Sequence, residues 1–312
     1  MTSTHPAEET ELPPPRIEEV SDGIFAYLQL DGSWGLNNTG FLVGRDAVLA
    51  VDACFTERRT RNLLHALRGQ AGDRAVRTLV NTHHHGDHTF GNYLFLPQAT
   101  IVGHERCRDT IISEGLAAQG LFPGVDWGTI EIAPPVVTFA ERLDLWVDDL
   151  KVELIFVGPA HTTNDIVAWI PDRKLLFAGD VVFNGGAPFA LAGSIGGWLE
   201  ALERMRALGA EIIVPGHGAV CGPAVLDDLT AYLELVLEAA RDGIAAGAEP
   251  LEVARSMDLG RFAGWLDGER LPANLHRAYS ELRGEPRGIP LPRQAVADMI
   301  AFNDGRPPRC LA

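Results

Sequence analysis

Four histidines fall within six positions of the stretch NTHHHGDHTFGN, residues 81–92, in a chain that has only ten histidines in all. In an extended segment, residues two apart point the same way. His83 and His85 can therefore converge on one point while His84 faces elsewhere. Gly86 permits a turn, after which Asp87 and His88 address a second point close by. Imidazole nitrogens and carboxylate oxygens are the donors that zinc and its neighbours accept. The spacing His83-x-His85-x-Asp87-His88 thus suits two metal ions better than one. Three further donors stand where apolar runs end: His161 after KVELIFVGPA, Asp180 closing KLLFAGD, and His217 after EIIVPG. Strand ends hold side chains on a rigid frame, which is what a metal site requires.

The elements that must position these groups are legible as short apolar runs. Residues 1–15 read as a disordered leader, because Pro13 to Pro15 favour an extended chain and the rest is polar. The catalytic unit is expected over 16–312. IFAYLQL (24–30), GFLVG (40–44) and AVLAVD (47–52) have strand length and form a β meander. TERRTRNLLHALRG then sets Leu63, Leu64 and Leu67 on one stripe with Gly69 as a stop, predicting a helix before the strand VRTLVN. The histidine run sits where that strand ends. ATIVG and HERCRDTIISEGLAA read as the next strand and helix. From about 136 the plan restarts with VVTF, LDLWV, KVELIFV, DIVAWI and KLLFAGD as strands, a helix near 196–208, and EIIVPGHG. Residues 222–312 are mainly helical by composition and are expected to form an extension, with a lid or cap as one role open to it. The alternation places the chain in the α/β class.

Composition narrows the function. The chain has 312 residues, 46% hydrophobic and 22% charged, as in a soluble globular protein, and no run approaches the ~18 apolar residues of a membrane span. The N-terminus carries Glu and Pro where a secretory signal would carry a basic residue and an apolar core, so a cytoplasmic location is expected. Four scattered cysteines without a CxxC pair fit a reducing compartment. The net charge of -16, from 42 acidic and 26 basic residues, argues against nucleic acid or anionic membrane as partner. The nearest thing to a basic patch is Arg58, Arg59, Arg61 and Arg68, which helical spacing gathers toward one face.

The ordered set formed by His83, His85, Asp87 and His88, then His161 in GPAHT, Asp180 in FAGD and His217 in PGHG, resembles the metallo-β-lactamase superfamily. The resemblance implies a four-layer αββα sandwich with the metal site at the edge of the sheets. It also implies that His83, His85 and His161 hold a first metal, that Asp87, His88 and His217 hold a second, and that Asp180 bridges them. Two zinc ions are expected, with iron or manganese as alternatives. Zinc lowers the pKa of its water to about 7, so a nucleophile or base is available at neutral pH. Asp87, beside both metals, is the candidate proton shuttle. Asp52, ending a strand just before the metal loop, is the candidate acceptor that orients His83 or His85, and His104, opening a helix, is a second candidate of that kind. His5, His65, His84 and His276 have no partner that the sequence names, and Cys221 is not counted as a ligand.

Further stretches suggest a narrower group. GSWGLNNTGFLVG (32–44), GLFPGVDWGTIEIAPPVVTF (120–139), GDVVFNGGAPFALAGSIGG (179–197), ERLPANLHRAY (269–279) and the terminal CLA are similar to the zinc-dependent second-ring cyclases of bacterial aromatic polyketide pathways, the actinorhodin type. Trp34, Phe122, Trp127, Phe183, Phe189 and Leu191 in these loops are the candidate substrate pocket, a slot for aromatic rings. The resemblance implies ring closure by aldol-type condensation and loss of water on an aromatic polyketide, either free or tethered to an acyl carrier protein. The same site could cleave the carrier thioester. Carrier proteins are generally acidic, so docking would rely on the patch from Arg58 to Arg61. The alternatives are a dimetal hydrolase of thioesters or lactones, similar to the glyoxalase II branch, and a non-catalytic binding protein on the same scaffold.

Overall fold

The computed structural model describes residues 13–312; residues 1–12, most of the expected leader and His5 with them, lie outside the described residues. In chain order the elements are β1 (Arg16–Ser21), β2 (Ile24–Leu28), β3 (Thr39–Val43), β4 (Ala47–Val51), α1 (Glu57–Ala71), β5 (Ala75–Val80), α2 (Gly86–Thr89), β6 (Thr100–His104), α3 (Glu105–Glu114), β7 (Val137–Phe139), β8 (Arg142–Val147), β9 (Leu150–Phe156), β10 (Ile166–Ile170), β11 (Leu175–Phe177), α4 (Ile195–Leu208), β12 (Ile212–Val214), α5 (Ala224–Ala246), α6 (Pro250–Ser256), α7 (Leu271–Leu282) and α8 (Gln294–Phe302). The first sheet runs in the order β1-β2-β3-β4-β5-β6-β7 and the second in the order β12-β11-β10-β9-β8.

Strand alternation explains the layers. On β4, Leu49 and Val51 face the second sheet while Val48 and Ala50 face outward onto Leu63, Leu67 and Ala71 of α1. On β10, Ile166, Ala168 and Ile170 face the first sheet, whereas Val167 and Trp169 join the core beneath α4, α5 and α7. Sheets buried on both faces need apolar residues at every position, and β10 is buried throughout. The result is an αββα sandwich whose second outer layer is thickened by the helices after residue 222, as expected from the sequence.

Three expectations are corrected. The chain enters the first sheet at β1, one strand earlier than the meander that the apolar runs mark. α1 runs through Gly69 and ends at Gly72, whose φ of 64° closes the helix with a backbone bond to Arg68. The second half does not restart at 136: β7 lies parallel to β6 in the first sheet, and the second sheet begins only with β8. A free strand edge is completed by whichever segment reaches it, which local periodicity cannot report. None of the described helices is long and apolar enough to cross a membrane, and all four cysteines are unpaired.

Candidate metal centre

Loops from both sheets meet at one edge of the sandwich. The β5–α2 loop brings His83 and His85, and α2 brings Asp87 and His88, from the first sheet; loops after β9, β11 and β12 bring His161, Asp180 and His217 from the second. The ligating atoms of His83, His85, His161 and Asp180 lie within 4.8 Å of one another, and those of Asp87, His88 and His217 form a second such group. Asp180 stands between them, with Oδ1 3.0 Å from His88 Nε2 and Oδ2 3.3 Å from His161 Nε2 and 3.4 Å from His217 Nε2.

The imidazoles are aimed by bonds on their far nitrogens. His88 donates from Nδ1 to Asp52 at 2.8 Å, His161 to the Phe189 carbonyl, and His217 to the Gly32 carbonyl at 3.0 Å. The Thr82 hydroxyl donates to Asp52 at 2.7 Å and so accepts from His83 Nδ1 at 3.1 Å. Each Nδ1–H is thereby occupied, leaving Nε2 as the lone pair that can bind a metal. Asp52 therefore serves His88 directly and His83 through Thr82, a division the sequence does not reveal. It does not reach His85, which meets His161 instead at 2.8 Å.

The site also fits a metal by its orphaned atoms. His83 Nε2 is buried without a hydrogen-bond partner, and His88 Nε2 and Asp180 Oδ1, 3.0 Å apart, have only each other. An unpartnered buried polar atom such as His83 Nε2 costs about 1–3 kcal/mol, which a cation would relieve. Burial pulls His83 and His85 well below the usual imidazole range, so both are in the neutral, ligating form. Burial acts on His88 and His217 too, but Asp180 and the neighbouring carboxylates outweigh it, holding His88 well above its ordinary value and His217 up at about 9.

A cavity of about 350 Å³ opens on this cluster, lined by His85, Asp87, His161, Asp180 and His217 at its base. Its wall is aromatic: Trp34 meets Phe122 at 5.6 Å and Phe189 edge-on at 5.0 Å, and Phe55 meets Phe122 at 5.5 Å. Phe183 and Leu191 also face the cavity. Trp127 does not; it packs behind Phe55 at 4.7 Å and supports the wall from outside.

Other candidates fall elsewhere. His104 caps α3, accepting from the Arg106 backbone and donating to the Ala140 carbonyl at 2.8 Å, so neither ring nitrogen is free to orient a ligand. His84 lines the cavity, bonded to Asn164, with Glu114 3.6 Å away, and burial pulls it down to about 4. His276 pairs with Asp298 at 2.7 Å. Arg59 is not a surface cation: it reaches inward to Gln29 and the Leu311 carbonyl, while Arg61 pairs with Glu57, which thins the expected docking patch. Phe55, Glu114 and Arg270 also line the cavity, and of these only Arg270 lies in a stretch that carries the narrower resemblance.

Residues 32–217 match the metallo-β-lactamase superfamily model, and the chain belongs to that superfamily. It is 28% identical over 208 residues to the 2,4-dinitroanisole O-demethylase subunit alpha of a Nocardioides species, covering 65% of this chain and 55% of that protein. It is 31% identical over 136 residues to the hydroxyacylglutathione hydrolase of Rhodospirillum rubrum, covering 44% of this chain and 45% of that enzyme. The matched stretches thus span about half the length of these curated relatives. The metallo-β-lactamase from Pontibacter korlensis superposes with a TM-score of 0.60 at 19% identity, over 71% of this chain and 99% of that structure, which establishes the fold. The chain thus carries a His/Asp cluster typical of a dimetal site on a hydrolase-type scaffold.

Proposed function

We propose that this chain is a dimetal enzyme that closes a ring on an aromatic polyketide by aldol-type condensation and dehydration. The observation that carries the reading is the aromatic wall directly over the His/Asp cluster. Flat conjugated rings gain about 0.5–1.5 kcal/mol from each well-placed aromatic contact, and a simple acyl chain does not. His83, His85 and His161 would hold one metal, Asp87, His88 and His217 the other, with Asp180 between them. Zinc, iron or manganese there would supply Lewis acidity toward ketone oxygens and lower the pKa of water toward about 7. Trp34, Phe122 and Phe189 orient the rings and exclude water. Asp87, which lines the cavity, would take a methylene proton and deliver it to the new alkoxide; loss of water then aromatises the ring. The substrate is either free or tethered to an acyl carrier protein, in which case thioester cleavage accompanies release.

The likeness to hydroxyacylglutathione hydrolase favours a second reading, hydrolysis of thioesters or lactones at the same ligands. Mass spectrometry separates the two. The metal-loaded protein is given a partly cyclised aromatic polyketide thioester and a simple acyl thioester, each with and without chelator. A chelator-sensitive new ring with loss of water supports the cyclase; cleavage of both thioesters with no new ring overturns it in favour of the hydrolase.

A further inference from the structure

The segment Ala187–Leu191 carries Phe189 and Leu191 into the cavity but belongs to no strand or helix, so its backbone groups must be satisfied from outside. One face of the C-terminal helical region does this. Arg270, Asn274 and Arg277 stand at i, i+4 and i+7, the spacing that aligns side chains along a helix, and all three are buried. Arg270 donates to the Ala187 carbonyl at 2.9 Å, Asn274 to the Pro188 carbonyl at 2.8 Å, and Arg277 to the Leu191 carbonyl at 2.7 Å. Asn274 Oδ1 also accepts from the Ala190 N–H at 2.8 Å. The Phe189 carbonyl, which this face leaves free, is the one that accepts from His161.

The opposite part of the wall is held from the same place. Glu269 accepts from the Trp34 indole N–H at 2.8 Å, and the Arg270 guanidinium lies 3.9 Å over the Trp34 ring, anchored by Asp267 at 2.8 Å. Trp34 and Phe189 thus owe their edge-on contact to residues 267–277, which lie outside the family match at 32–217.

We propose that this face, with Glu269, is the specificity element of the site: it positions Trp34 and Phe189 as one rigid wall that selects planar fused-ring ligands over flexible chains. Glu269 and Asn274 are positioning residues acting through that wall, while Arg270 both lines the cavity and stacks on the Trp34 ring. The inference rests on the aromatic-substrate reading above, but its test uses ligands that do not react.

Calorimetric binding of 2-naphthol and of flexible 1-octanol to the metal-loaded protein measures the preference. The wild type should prefer naphthol. E269A should lower the naphthol-over-octanol preference about tenfold, whereas E269Q, which keeps an acceptor for the indole N–H, should restore most of it. W34F keeps a ring but has no N–H, so W34F and W34F/E269A should show equal preference, the non-additivity expected of one shared contact. N274A should also lower the preference, with metal content reporting on its link to His161. The proposal is overturned if the wild type has no preference, if E269A retains it, or if E269Q falls as far as E269A. A wild-type preference for naphthol without ring closure in the reaction assay would instead sink the cyclase reading alone.

Discussion

The carboxylate of Asp52 accepts hydrogen bonds from His88 Nδ1 at 2.8 Å and from the Thr82 hydroxyl at 2.7 Å, so one buried acid aims imidazoles in both halves of the metal cluster. D52N removes that charge while suiting the backbone, since the φ of 63° at this position is one that asparagine adopts. Loss of such an outer partner typically weakens metal binding 10–100-fold. Competition titration with a chromogenic chelator should show this fall for D52N and no comparable change for H104N, because His104 bonds only to backbone.

Protons compete with metal at His88 and His217. Both are raised above the ordinary imidazole value, His217 to about 9, so the metal-free protein holds protons there at neutral pH. Zinc binding should then release about two protons from this pair at pH 7, and affinity should fall as pH falls. A group raised on folding stabilises fully below its unfolded value and loses that stabilisation as pH rises through its folded value. Melting temperatures of the metal-free protein should accordingly decline between pH 6.5 and about 9, while the metal-loaded protein stays level. Calorimetry in buffers of different ionisation enthalpy counts the released protons; finding none would contradict the protonation state described.

Gly216 precedes His217 and has no room for a side chain: a Cβ there would overlap Asp180 Oδ1 and the Gly179 backbone. G216A should push Asp180 off both halves of the cluster and destabilise the fold by about 1–3 kcal/mol through overpacking. Denaturation midpoints and metal content measured together test this. A fully metallated G216A with unchanged stability would contradict the packing described.

Much of the scaffold was legible because it is local. Alternation along β4 and β10 decides which side chains meet the other sheet, and the His83-x-His85 spacing decides which imidazoles point together. The helix stop expected at Gly69 falls at Gly72, because Gly69 can remain within a helix and Gly72, at positive φ, supplies the closing geometry. The fate of Arg59 was not legible, because the atoms that bury it belong to Gln29 and Leu311, far away along the chain.

The sequence by itself determined the candidate donor set, its order along the chain and the alternation of strands and helices, since these follow from side-chain chemistry and from periods of two and 3.6 residues; the sandwich came from the resemblance. Tertiary structure alone decided that β7 completes the first sheet, that Asp52 aims His88, that Trp127 lies behind the cavity wall, and that Glu269 holds Trp34 from 235 residues away. These contacts are set by how whole layers pack, and no local period encodes a partner on another layer.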